Sequence, residues 1–390
     1  MEPKAEYSNI LFCRERSKFF LKNAKKETKR DLKKKIKNLI KHHDINSFAK
    51  MAKSFASTTS WLGHSYFRYY KSFIKLKSTE GLPILTVEEN NIIQKVISKD
   101  QSIIKLHGQE KVFKAIYKEA LLSHSFLNVS SRLRLPYLQT VIVILDGIFN
   151  ELFSQSAFER SIQKLSNDMG IIFFIPKISG INGSSINSKK IEKELYQFSQ
   201  KNPSKKFWLL AYSKGGIDAL HYLSRNKEFA EKKIKGLSTL ATPILGSDKF
   251  NKGILKYLKQ LQQKLDNYSF KRDILFKDLQ KSLDSKFQKT WFLQNYRELP
   301  KNIFYSSLGF EAHWKETHLW MLFAKLIFQS PKKNDGVVNT DDAHFPCFFP
   351  SLKLGTIPAH HLIGMRSTFQ SQEAILEALL IHLNFLNLLD

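Results

Sequence analysis

Apolar residues fall along this chain in two rhythms. Short runs rich in β-branched and aromatic residues, Thr140 to Leu145, Ile171 to Ile175, Phe207 to Leu210, Leu237 to Ala241 and Asn302 to Ser307, are too short for helices and predict strands. Between them apolar positions recur at helical spacing: near 155–167, at about 189–200, and from Ile217 through Leu220 and Leu223. Short apolar strands alternating with helices predict an α/β fold, a mostly parallel, doubly wound sheet with helices on both faces.

Residues 247–300 break that alternation. Phe250, Ile254, Leu258, Leu261 and Leu265 make one stripe, and Leu275, Leu279, Leu283 and Phe287 continue it after Asn267-Tyr268-Ser269. This predicts an amphipathic helical insertion between two strands. Beyond the strand near 302–307 comes a helix rich in Trp314, Trp320 and Phe323, then two loops and an apolar helix over about 370–388. Ahead of the sheet, Gly81-Leu82-Pro83 opens two helices, about 87–106 and 109–127. Residues 1–77 read as helical, with Leu32, Ile36, Leu39 and Ile40 as a stripe among lysines. The expected organisation is a mainly helical extension over 1–130, followed by an α/β domain over 131–390 that carries the 247–300 insertion.

The strand Phe207 to Leu210 runs into Ala211-Tyr212-Ser213-Lys214-Gly215-Gly216, and a helical pattern follows at once. Strand, tight turn, helix is the setting in which a small-x-Ser-x-Gly serine becomes a nucleophile. The turn strains the serine backbone, so Ala211 and Gly215 must be small. The helix that follows presents its N-terminus to developing negative charge. A serine hydroxyl needs a base to take its proton and a carboxylate to orient that base. In a parallel sheet these lie on loops beyond the strands' C-terminal ends, in the order serine, acid, histidine. Asp335, in the turn Asn334-Asp335-Gly336 before Val337-Val338, is the acid candidate, with Asp341 and Asp342 close enough to compete. The base candidate is His361 in Ala359-His360-His361-Leu362, with His360 as its rival and His344 a lesser one. The adjacent histidines have no further ligands at metal spacing, so neither a metal nor another cofactor is expected. Backbone N–H groups of Lys214, after the serine, and Ile148, in Asp146-Gly147-Ile148, are candidates to hold an oxyanion.

Together these stretches resemble the α/β-hydrolase family, and within it the lipase- and esterase-like branch. The resemblance covers about 138–246 and 301–390. It is carried by Val143-Ile144-Leu145-Asp146-Gly147, the serine turn, Leu240-Ala241-Thr242-Pro243-Ile244-Leu245-Gly246-Ser247, Asn334 to Val338, and His361-Leu362. Asp146 stands where the family usually has His or Pro. Ile363 stands two residues after His361, where calcium-dependent bacterial lipases tend to carry Asp. The resemblance implies a Ser213–His361–Asp335 triad cleaving a carboxylic ester through an acyl-enzyme, with 247–300 as a lid over an apolar acyl site. Acyl transfer to another acceptor would use the same triad.

Charge adds a second reading. The 390 residues carry a net charge of +27, and residues 1–77 hold 20 Lys/Arg against six Asp/Glu, an excess of 14. Such a segment is drawn to anionic partners, and it opens the alternative of a catalytically silent scaffold bound to a membrane or nucleic acid. Trp61, Tyr66, Phe67, Tyr69 and Tyr70 form no nucleic-acid motif, so an anionic membrane surface is the more expected of the two. Two distant cysteines, Cys13 and Cys347, suggest a reducing compartment or no dependence on disulfides. Basic residues interrupt any secretory apolar run near the N-terminus, and no run of about 18 apolar residues occurs. The expected location is the cytoplasm, peripheral at a membrane surface where the basic segment engages one.

Overall fold

The structure, a computed structural model, describes residues 85–124, 130–148, 156–247, 270–312, 332–364 and 371–389, with scattered positions between 14 and 66. The stripes at 32–40 and 250–265, the five clustered aromatics save Tyr66 and the helix around Trp314 lie outside them.

Six strands among the described residues form one parallel sheet: β1 (Val141–Leu145), β2 (Phe173–Phe174), β3 (Phe207–Tyr212), β4 (Ile234–Leu240), β5 (Phe304–Glu311) and β6 (Leu352–Pro358). Their order is β2-β1-β3-β4-β5-β6, and every neighbouring pair is parallel. Both faces are covered, which is why β1 and β3 are apolar at every position rather than at alternate ones. Val141, Val143 and Leu145 pack to one side with Phe207, Leu209 and Ala211. Ile142 and Ile144 pack to the other with Trp208, Leu210 and Tyr212.

The helices described over their whole length are α1 (Val87–Ile97), α2 (Ser102–Ser123), α3 (Glu159–Met169), α4 (Ser184–Lys201), α5 (Lys214–Arg225), α6 (Lys227–Lys233), α7 (Phe270–Leu283), α8 (Ser285–Asn295) and α9 (Gln372–Phe385). Residues of α1, α2, α3 and α9 share the core on the Trp208 side, and those of α4, α5, α6 and α8 the core on the Phe207 side. Residues of α1 and α2, from the segment ahead of the sheet, are thus built into the sheet's own core.

Boundaries differ from the sequence reading where polar residues interrupt a pattern. The helix expected over 87–106 is split at 98–101, where Lys99 takes φ 57°. Gly108, at φ 77° and ψ 157°, breaks the backbone again inside α2. The segment after His344, expected to hold only loops before the final helix, contains β6. Lys353, Gly355 and the closing Pro358 hide this strand's pattern, and between Ser307 and Gly309 its register slips by one residue at a bulge where Gly355 has φ 79°.

The described part of the 247–300 insertion is tied to the body. Ser184 N of α4 donates to Ser282 Oγ at 2.8 Å, and within the insertion Ser247 N donates to the Leu283 carbonyl at 3.0 Å. Trp291 of α8 stacks on His221 of α5, centroids 3.8 Å apart and planes 12° from parallel. Among the described residues no helix is long and apolar enough to cross a membrane.

Candidate active site

The strand order fixes where a site can form. The chain adds β2 on one side of β1 and β3 on the other, so the loops leaving β1 and β3 diverge and open a crevice at their C-terminal ends. Gly147-Ile148 follows β1 and Ser213 follows β3, at the two sides of that crevice.

Ser213 sits between β3 and α5 at φ 55° and ψ −129°. A non-glycine residue held there costs about 1–3 kcal/mol and persists only where its surroundings impose it. They do so on both sides. Ser213 N donates to the Leu240 carbonyl at 2.9 Å, and Gly216 N closes the turn on the Ser213 carbonyl at 3.1 Å. A methyl group at Gly215 would lie 2.3 Å from the Leu145 carbonyl oxygen, and one at Gly216 2.2 Å from Thr242 Oγ1. The smallness at 215 is therefore demanded by β1 as well as by the turn.

Ser213 Oγ lies 2.8 Å from His361 Nε2, and His361 Nδ1 lies 2.6 Å from Asp335 Oδ2. All three residues are buried. Asp335 stands in the expected turn, which closes with Asp335 N on the Val338 carbonyl at 3.1 Å and has Gly336 at φ 102°. Its Oδ1 accepts the N–H groups of Val337 and Val338 at 2.9 and 2.8 Å, which leaves Oδ2 for the imidazole. His361 N donates to the Asp335 carbonyl at 2.9 Å, so the two loops are also joined through their backbones. A carboxylate that accepts only calls for a proton on Nδ1, and the Nε2 lone pair then faces the serine hydroxyl.

The competing candidates do other things. His360 is buried and its Nδ1 accepts the Leu362 N–H at 3.2 Å. Asp341 is exposed on a 3-10 turn, and the Asp342 carboxylate accepts the Asn339 amide at 2.8 Å while its carbonyl takes the Ile244 N–H at 3.0 Å. His344 bonds Ser307 Oγ at 3.0 Å, and burial pushes its imidazole down to about 4.

The oxyanion candidates flank the serine. Lys214 opens α5, where the first N–H groups have no carbonyl within the helix. Gly147 lies against the serine side chain: a methyl group there would be 2.8 Å from Ser213 Cβ and 3.2 Å from Oγ. Ile148 follows it, buried. Asp146 accepts the Ala157 N–H at 2.9 Å, and burial, with the charge of Glu159 adding to it, pushes its carboxyl up to about 7.

Three neighbours escaped the sequence reading. The ring of Tyr212 is wholly buried against His361 and Phe158. The Lys214 side chain is fully buried, with its Nζ 2.8 and 2.9 Å from the two oxygens of a fully buried Asp218. Asn187 Nδ2 donates to Asp218 Oδ2 at 2.7 Å. The Lys214/Asp218 pair had a signal, opposite charges four residues apart at the start of a helix.

A parallel sheet with this strand order, a strained serine at the exit of β3, and acid and histidine loops beyond β5 and β6 define the architecture. The chain has an α/β-hydrolase fold. It is similar to a metagenomic carboxyl esterase structure, with TM-score 0.55 and 21% identity over 70% of this chain and 90% of that one. The mature Bacillus licheniformis lipase BlEst2 aligns less well, with TM-score 0.46 and 20% identity over 64% of this chain and 95% of that one. No family model and no curated protein sequence matches the chain.

Proposed function

We propose that the protein is a serine hydrolase of carboxylic esters. The observation that carries this reading is the unbroken hydrogen-bond line from Ser213 Oγ through His361 to Asp335, buried and anchored at a strained elbow. In this reading His361 Nε2 takes the hydroxyl proton as Ser213 Oγ bonds to the ester carbonyl carbon. The N–H groups of Lys214 and Ile148 receive the negative charge that develops on the carbonyl oxygen. His361 then returns the proton to the departing alkoxide as the C–O bond breaks, leaving an acyl-Ser213. A water, deprotonated by the same nitrogen, releases the acid and restores the serine. Asp335 holds the imidazole in its tautomer and stabilises the imidazolium.

The amphipathic stripe of Phe250, Ile254, Leu258, Leu261 and Leu265, in the insertion after β4, supports an apolar acyl group, with that stripe as its cover. The basic N-terminal segment supports an anionic membrane surface as the place where such a substrate is met. The test is labelling by a fluorophosphonate probe together with turnover of p-nitrophenyl butyrate. Both are expected in wild type and lost in Ser213→Ala. Turnover that survives Ser213→Ala sinks the proposal.

A further inference from the structure

We infer that Asn187, Asp218 and the side chain of Lys214 form a positioning network that sets the two halves of the oxyanion site against each other. The inference rests on the ester-hydrolase reading and deepens it, since none of these side chains belongs to the Ser213–His361–Asp335 line.

The network begins one residue after the nucleophile. Lys214 contributes its backbone N–H to the proposed oxyanion site, while its side chain runs into the interior and meets both carboxylate oxygens of Asp218 one helical turn on. An ion pair wholly removed from water is weak evidence of stability, because desolvating two charges offsets most of their attraction. Replacing such a pair by well-packed apolar residues is often neutral for stability. The pair does fix the first turn of α5 at both ends of one side-chain bridge.

Asp218 also accepts from Asn187, near the start of α4, and Asn187 Nδ2 is within 2.8 Å of the Ser179 carbonyl as well. That bond holds the loop after β2 in place. Asn182 Nδ2 adds a contact to Asn187 Oδ1 at 3.4 Å, and Asn182 N donates to the Ser179 carbonyl at 3.1 Å. The next residue, Gly180, presses directly on the other half of the site: a methyl group there would lie 2.6 Å from the Gly147 carbonyl oxygen and 2.6 Å from Ile148 Cα. One buried amide therefore links the residue that supplies the Lys214 N–H to the loop that backs the Ile148 N–H. Donors in such a site act through their fixed placement, and small displacements cost rate rather than binding.

The experiment compares full-length wild type with Asn187→Ala and with the double variant Lys214→Met/Asp218→Leu, which removes both charges and leaves no unpaired one. On p-nitrophenyl butyrate kcat is expected to fall about tenfold or more in each, with KM within twofold. The midpoint of the pH–rate profile is expected to stay at its wild-type value, because His361 and Asp335 keep their partners. Asn187→Ser, small and polar, is expected to recover part of the loss. Should Asn187→Ala not fold, the double variant carries the test. Wild-type kcat in the variants overturns the inference, as does a loss shared with a shifted pH midpoint or a matching rise in KM. A wild type that fluorophosphonate fails to label removes the ester-hydrolase reading instead, whatever the variants do.

Discussion

The ring of Tyr212 lies against the imidazole of His361, centroids 5.6 Å apart and planes 25° from parallel. Tyr212 is the residue before Ser213, so the strand that ends at Ser213 also supplies a wall for the His361 ring. Phe158 also packs on the ring, in a T-shaped contact with centroids 5.4 Å apart. Tyr212→Phe keeps that wall and is expected to retain turnover within about twofold. Tyr212→Leu frees the imidazole to tilt and is expected to lose about tenfold or more in kcat, since a small misplacement of a reacting group costs that much. Steady-state kinetics on both variants, with circular dichroism to show that they fold, checks the pair.

His360 and His361 make a second comparison. His361→Ala removes the base and is expected to abolish ester turnover. Asp335→Asn preserves shape but favours the wrong tautomer, and a drop of about 10⁴-fold in kcat is expected. His360→Ala leaves the serine–histidine–aspartate line intact. Its kcat is expected within about threefold of wild type, while its melting temperature falls because a buried ring and its bond to Leu362 N are lost. Parallel activity and thermal-melt measurements on the three variants separate chemistry from packing.

Gly215 and Gly216 are expected to be intolerant for a reason unrelated to catalysis. Alanine at 215 drives a methyl group into the Leu145 carbonyl, and alanine at 216 drives one into Thr242. Overpacking of this kind costs about 1–3 kcal/mol, and the backbone clash at 215 places it at the upper end. Chemical denaturation of each variant is expected to show Gly215→Ala as the less stable, because its methyl meets backbone atoms of Leu145 and Asp146, whereas that of Gly216→Ala meets the Thr242 side chain.

Acid should destabilise the protein through its buried histidines. Burial holds His221, His344 and His382 neutral, pushed down to about 4, 4 and 3 from an ordinary value near 6.5. The unfolded chain then binds more protons than the folded one between about pH 4 and 6.5. Stability is complete above 6.5 and is lost as pH falls, at about 1.4 kcal/mol per pH unit for each histidine. Asp146, pushed up to about 7, acts in the opposite sense and loses its contribution as pH rises from about 4 to 7. Three histidines outweigh one carboxyl, so the melting temperature is expected to drop steeply below pH 6.5. Thermal melts from pH 8 to 4 check this, and His382→Phe, placed against Phe113, is expected to flatten the drop.

Strands β1 and β3 were legible because they are buried on both faces, which leaves continuous apolar runs. Strand β6 was not, because an edge strand with Lys353, a bulge at Gly355 and Pro358 carries no such run. The serine turn was legible from local sequence alone, since its strain calls for small neighbours and those are printed in the chain. Separating Asp335 from Asp341 and Asp342, and His361 from His360, needed the fold: each group contains turn-forming or adjacent residues of the same type, and only long-range geometry says which side chain faces Ser213. The Tyr212 wall and the Asn187 bridge were out of reach for the same reason, as their partners lie 149 and 31 residues away.

The two outer strands bear on how the molecule behaves in a crowd. An open sheet offers unpaired backbone groups along both margins, and a long flat margin templates pairing with a neighbouring chain. Among the described residues one margin is the two-residue β2, and the other is β6, kinked at Gly355, carrying an exposed Lys353 and ending in Pro358. Neither gives an incoming strand a straight run of donors and acceptors. A chain whose interior is as rich in β-branched and aromatic residues as this one is thereby guarded against growing sideways into aggregates.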